Sequence, residues 1–146
     1  MKITFTHSRR FAWLAFTAAL AGVWLSPSSL KSHGFEDHSN IKQVLTQELA
    51  GHPDQQVSIT TVYYEPGGST PAHIHHGPVY VYVTEGAVEL QIQGGPLTTV
   101  KAGETFYEPP GSIHQVSRNA SKTTPAKLVA FIIGKKDTPP TSPLKK

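Results

Sequence analysis

The sequence predicts an all-β domain over residues 41–134, an antiparallel sandwich or barrel of short strands. Three observations lead there. Short runs of β-branched and aromatic residues recur between glycine and proline signals. Almost no stretch repeats its apolar residues at helical spacing. The clearest run alternates: Val79, Val81 and Val83 fall on one face of a strand, and Tyr80, Tyr82 and Thr84 on the other.

The elements follow in order. Strands are expected at 41–48 and 57–65, the second stopping at Pro66-Gly67-Gly68-Ser69, where proline presets φ and glycine frees it. A short strand at 72–75 ends at Gly77-Pro78. The valine strand, 79–84, ends at Glu85-Gly86, and 87–93 ends at Gly94-Gly95-Pro96. Strands at 97–100 and 105–108 are closed by Ala102-Gly103 and Pro109-Pro110-Gly111, and strands at 114–118 and 127–133 complete the set. Phe106, Val116, Leu128 and Phe131 are candidates for core or pocket wall. Tyr63, Tyr64, Tyr80, Tyr82 and Tyr107 are read as sheet-packing residues.

Outside the domain the chain changes character. Residues 1–10 are polar and basic, residues 11–25 are uncharged and mostly apolar, and Ser26-Pro27-Ser28-Ser29 follows. That order predicts a signal peptide over 1–28, cleaved near Ala21 or Ser28, and a periplasmic or secreted protein. The apolar run is short of the ~20 residues that span a bilayer, so a membrane enters only through an uncleaved leader. Ser8-Arg9-Arg10-Phe11 resembles part of a twin-arginine export signal, without the residue usually found between the arginines and the Phe. Residues 29–40 read as a linker carrying His33 and His38, and residues 135–146, rich in Pro and Lys, as a flexible tail.

Charge narrows the partners. The 13 Lys+Arg exceed the 10 Asp+Glu by three, and Lys2, Arg9 and Arg10 in the leader account for the whole excess. The domain has no clustered basic face, so nucleic acid is not expected and a small-molecule ligand or substrate is. The chain has no cysteine. This excludes a disulfide framework, a thiolate metal site, a cysteine nucleophile and a lipidated cysteine, and leaves imidazole, carboxylate or carbonyl groups to hold any metal. There is no phosphate-binding glycine loop, no G-x-S-x-G elbow and no internal repeat.

Three of the eight histidines stand together as His73-Ile74-His75-His76, and His114 follows Pro109-Pro110-Gly111-Ser112-Ile113. Two imidazoles at i and i+2 of a strand lie on one side, about 7 Å apart along the chain, and can reach one ion. A third imidazole from a neighbouring strand completes a facial site with open positions, suited to catalysis more than to structural closure. His76, next to a ligand candidate, should point away from it.

The spacing carries more than the histidines alone. Gly67-x5-His73-x-His75-x10-Gly86 resembles the first cupin motif, G-x5-H-x-H-x3,4-E-x6-G. Gly103-x5-Pro109-x-Gly111-x2-His114 resembles the second, G-x5-P-x-G-x2-H-x3-N. Sixteen residues separate the two. The chain resembles a small single-domain cupin of the type related to quercetin dioxygenase. The resemblance implies a jelly-roll barrel, also called a double-stranded β-helix, preceded by the non-barrel leader. It implies a divalent transition metal on His73, His75 and His114: iron first, with nickel, manganese, copper or zinc as alternatives. It also implies a homodimer, with the strand at 41–48 available for exchange.

The sequence departs from the pattern twice. The family glutamate falls at Val79 and the motif-two asparagine at Arg118, with Asn119 one residue late. Valine cannot bind a metal, so a site of three neutral imidazoles is expected to favour an anionic ligand that supplies the missing charge. Glu85, Glu104 and Glu108 are read as solvated carboxylates rather than replacements. Asn119-Ala120-Ser121 matches a glycosylation sequon. Two functions then stand side by side. One is an exported dioxygenase-like oxidoreductase working on a small molecule, for which no catalytic residue is assigned beyond the metal ligands. The other is a non-catalytic metal- or ligand-binding cupin, a sensor or binding protein. A barrel that has lost its metal is a third reading, opposed by the presence of all three histidines.

Overall fold

The computed structural model describes residues 39–144. The expected leader, His33, His38 and all of the linker except its last two residues lie outside them. The described residues form eleven strands and no helix, so no helix there could cross a membrane. In order they are β1 Ser39–Leu49, β2 His52–Tyr64, β3 Ser69–Thr70, β4 His73–His75, β5 Val79–Glu85, β6 Ala87–Ile92, β7 Thr98–Lys101, β8 Thr105–Glu108, β9 Ile113–Asn119, β10 Ala126–Lys135 and β11 Thr141–Pro143.

All pairings are antiparallel and make two sheets, a jelly-roll arrangement. One runs β1-β2-β10-β5-β8 and the other β11-β4-β9-β6-β7, with β3 pairing β9. Every expected strand is present. β2 starts earlier than expected, at His52, β3 is additional, β10 runs on to Lys135, and the expected linker and tail both supply strand residues. Ser39 and Asn40, expected in the linker, open β1. In the segment expected as a flexible tail, Thr141–Pro143 is paired to β4 as β11, with Pro143 opposite His73. Nothing local in Thr-Ser-Pro specifies a strand; the unpaired edge of β4 supplies the partner.

Alternation sets the core. Val79, Val81 and Val83 are buried, while Tyr80 and Tyr82 beside them are half exposed. The valines meet Val62, Leu128 and Ile132 of their own sheet and Val88, Leu90 and Val100 of the other. Each such side chain contributes about 1.5–3 kcal/mol on burial. Phe106 packs on the edge of this core. Phe131 is not in the core: it faces outward at 39% exposure, paired with Tyr80. Tyr80 in turn stacks against Tyr107, 5.3 Å between centroids.

Two polar devices fix one sheet against the other. Tyr64, at the end of β2, is buried and its hydroxyl lies 2.6 Å from Ser117 Oγ on β9 and 3.1 Å from Thr70 Oγ1. Asn119, at the end of β9, donates to the carbonyls of Glu65 and Thr124 and accepts from Ser121 N–H. That use of Asn119, which is buried, leaves its amide unavailable as a glycosylation acceptor in the folded state. Arg118, at the family's asparagine position, is on the surface and paired with Glu89 at 2.6 Å.

Candidate metal centre

β4 is only three residues long, and its two ends are histidines. Strand alternation puts both rings on one face. β9 runs beside β4 with His114 directly opposite His73. The turn of the second motif is tied back to the same strand, since Gly111 N–H donates to the His75 carbonyl at 2.9 Å. The three rings therefore converge from two neighbouring strands of one sheet, with centroids 4.7, 5.1 and 6.1 Å apart.

One nitrogen of each ring lies within 4.8 Å of the other two. His73 Nδ1 is 2.9 Å from the Pro71 carbonyl oxygen, which can only accept, so Nδ1 carries the proton and Nε2 offers its lone pair. His73 Nε2 and His75 Nε2 are 3.0 Å apart, the separation that two donors about 2.1 Å from one ion subtend near a right angle. His75 Nδ1 and His114 Nε2 are buried without a hydrogen-bond partner. Burial pushes the His75 imidazole down to about 4, with Glu108 opposing and the other two imidazoles adding to the fall. Burial also lowers His73, against the hydrogen bond to Pro71. Neutral imidazoles with inward lone pairs are the form a transition metal takes, and the donor set fits one.

The structure brings together the three expected ligands and leaves His76, Glu85 and Glu104 outside. His76 points away and lies 2.7 Å from Ser142 Oγ on β11. Glu85 pairs with Lys127 on the surface, and Glu104 accepts from Lys101 N–H at 2.8 Å. Glu108 is the correction. Expected in solvent, it is 1% exposed, with Oε2 3.2 Å from His114 Nδ1 and 3.4 Å from His75 Nε2. Residue type argued for exposure, but the strand's own parity argued the opposite. Phe106 faces the core, so Glu108, two residues on, shares its face.

The histidines border a cavity of about 490 Å³ between the sheets. Its wall is mostly apolar, with Val62, Val81, Leu128, Ala130 and Ile132 among the contributors, and Pro140–Pro143 along one side. A cavity of that size encloses a small molecule.

The family model for the cupin domain matches residues 60–132, half of the chain and the whole of the site. The chain is a cupin. This cupin is 32% identical over 93 residues to germin-like protein subfamily 2 member 4 of Arabidopsis thaliana, covering 58% of the chain and 40% of the relative. It is 31% identical over 102 residues to germin-like protein 1-1 of Oryza sativa subsp. japonica, covering 64% and 45%. It thus spans less than half the length of these relatives. Among solved structures, oxalate oxidase in complex with the substrate analogue glycolate shares 27% identity at a TM-score of 0.55, covering 76% of this cupin and 57% of that chain. Two others share the fold. They are the DMSP lyase DddQ of Ruegeria pomeroyi DSS-3 (20% identity, TM-score 0.60, covering 75% and 53%) and a double-stranded β-helix protein of Klebsiella pneumoniae (20%, 0.56, 76% and 88%).

Proposed function

We propose that this cupin is an exported, metal-dependent oxidoreductase acting on a small molecule that offers an oxygen donor. The carrying observation is the cluster of three imidazoles at the wall of a mostly apolar cavity. A divalent ion held there, iron before nickel, manganese or copper, would supply a Lewis acid and an electron relay, and zinc in its place the Lewis acid alone. The protein's part is to hold and shield. His73, His75 and His114 would hold the ion beside the cavity. Val81, Leu128 and Ile132 exclude water and pack the body of the substrate. Likeness to an oxalate oxidase in complex with glycolate supports a small oxygen ligand.

Metal analysis of the purified protein beside His73→Ala and His114→Ala tests this. Wild type is expected to retain near one equivalent of metal and each variant far less. Equal metal in all three would overturn the metal reading. Oxygen uptake with oxalate, catechol-like, β-diketone and thiol substrates then decides the reaction. Bound metal with no uptake from any of them assigns the protein to metal or ligand binding instead.

The reading includes export and self-association. The basic-then-apolar order of residues 1–25 supports a cleaved leader. Ile41, Val44 and Leu45, half exposed on the edge strand β1, support a second copy of the chain as partner. N-terminal sequencing should give a start just after Ala21 or Ser28, and sedimentation should give a dimer mass. A retained Met1 or a monomer mass would overturn the respective part.

A further inference from the structure

We propose that Glu108 is the carboxylate ligand of this centre, supplied from β8 in place of the one the cupin pattern takes from β5. The inference rests on the metal reading above and deepens it.

The register makes the substitution possible. Val79 stands at the pattern's glutamate position, fully buried, and its direct cross-strand partner is Glu108. Partners directly opposite in an antiparallel pair point to the same face with Cβ atoms about 4.5–5.5 Å apart. A carboxylate at 108 therefore enters the same interior volume as one at 79. The first motif has valine where the pattern has glutamate, and the adjacent strand carries a glutamate at the matching rung.

Burial makes the substitution necessary. Glu108 Oε2 is shut off from solvent and has no hydrogen-bond partner. A buried carboxylate is costly unless paired with a cation or several donors. Arg118, Lys127 and Lys136 make their ion pairs elsewhere, with Glu89, Glu85 and Glu48. The groups beside Oε2 are His75 and His114, each with its own unpartnered nitrogen. A divalent ion shared by the three imidazoles and this oxygen supplies the cation that Oε2 lacks.

The charge at the centre then changes. Three imidazoles leave a divalent ion at +2, whereas three imidazoles and a carboxylate leave +1. The open positions then call for a monoanion or a neutral oxygen donor, in place of the more strongly anionic ligand expected from histidines alone.

The test is titration of the metal-free full chain with Co²⁺, followed by visible absorption, together with thermal melts with and without Co²⁺. Glu108→Gln should bind Co²⁺ at least about tenfold more weakly, with a changed ligand-field spectrum, and should melt metal-free no lower than wild type. The double variant Val79→Glu/Glu108→Val should regain most of the affinity. Wild-type affinity and spectrum in Glu108→Gln would overturn the inference while leaving the three-histidine centre standing. A lower metal-free melting temperature with an unchanged spectrum would mark a structural ion pair and overturn it equally. If wild type itself takes up no Co²⁺, the metal reading falls with it. If Glu108→Gln does not fold, Glu108→Asp takes its place, keeping the charge and shortening the reach. Weaker Co²⁺ binding with a shifted spectrum then supports the ligand role, and unaltered binding overturns it.

Discussion

Alanine at position 77 is expected to destabilise the protein by at least about 3 kcal/mol and to remove metal binding with it. Gly77 is buried in the turn between β4 and β5, where the chain crosses close to β10. A Cβ there would stand 1.7 Å from the Ile133 carbonyl oxygen and 2.8 Å from its carbon. Both obstacles are backbone, so no side-chain rotation relieves the clash. The Pro78 carbonyl accepts from Ile133 N–H at 3.1 Å, so moving the turn away also breaks that bond. His75 lies two residues upstream, and its ring would move with the turn. Urea unfolding, with metal content measured alongside, checks this. A loss under about 1 kcal/mol with full metal content would show that β10 yields at Ile133.

Acid should weaken the metal-free protein well above the range where carboxylates usually titrate. In the fold the His75 imidazole remains neutral down to about pH 4, while the unfolded chain takes up that proton near 6.5. Between these values the unfolded state binds more protons, so stability falls as pH falls. The fall is complete near pH 4 and amounts to about 3 kcal/mol for this one group. His73 is shifted in the same direction and adds to it. Above pH 6.5 both states are neutral and the effect vanishes. Urea unfolding of metal-free wild type and His75→Gln from pH 7 to pH 4 isolates the contribution. The variant should show a visibly shallower slope, and equal slopes would place the acid sensitivity elsewhere. With metal bound, protons and the ion compete for the same nitrogens, so metal release should track the same window.

The sequence made the barrel legible because β5 alternates cleanly and because each turn is marked by glycine or proline. The histidine centre was legible through the resemblance to the two cupin motifs, since His-x-His on a strand sets two rings on one side and the second motif implies the third. Two features were hidden for different physical reasons. β11 has no pattern of its own; its strand character comes from the free edge of β4, which only the folded chain presents. Glu108 had a local signal, the parity with Phe106, but glutamate's usual preference for water argued against it. What overrides that preference is a pair of imidazoles, His114 from the next strand and His75 from β4, a strand distant in sequence. Val79 read as a departure from the first motif, a residue that cannot bind a metal; only the register between β5 and β8 shows what stands opposite.

β11 separates two jobs along the chain. The ligands come from residues 73–114, inside the region with strict spacing. One flank of the cavity comes from Pro140–Pro143, a segment with no motif, held by β4 backbone pairing and the His76–Ser142 contact. Substitutions there can reshape what the cavity admits without touching an imidazole. The chain can therefore change its guest by drift in its last few residues while the chemistry of the centre stays constant.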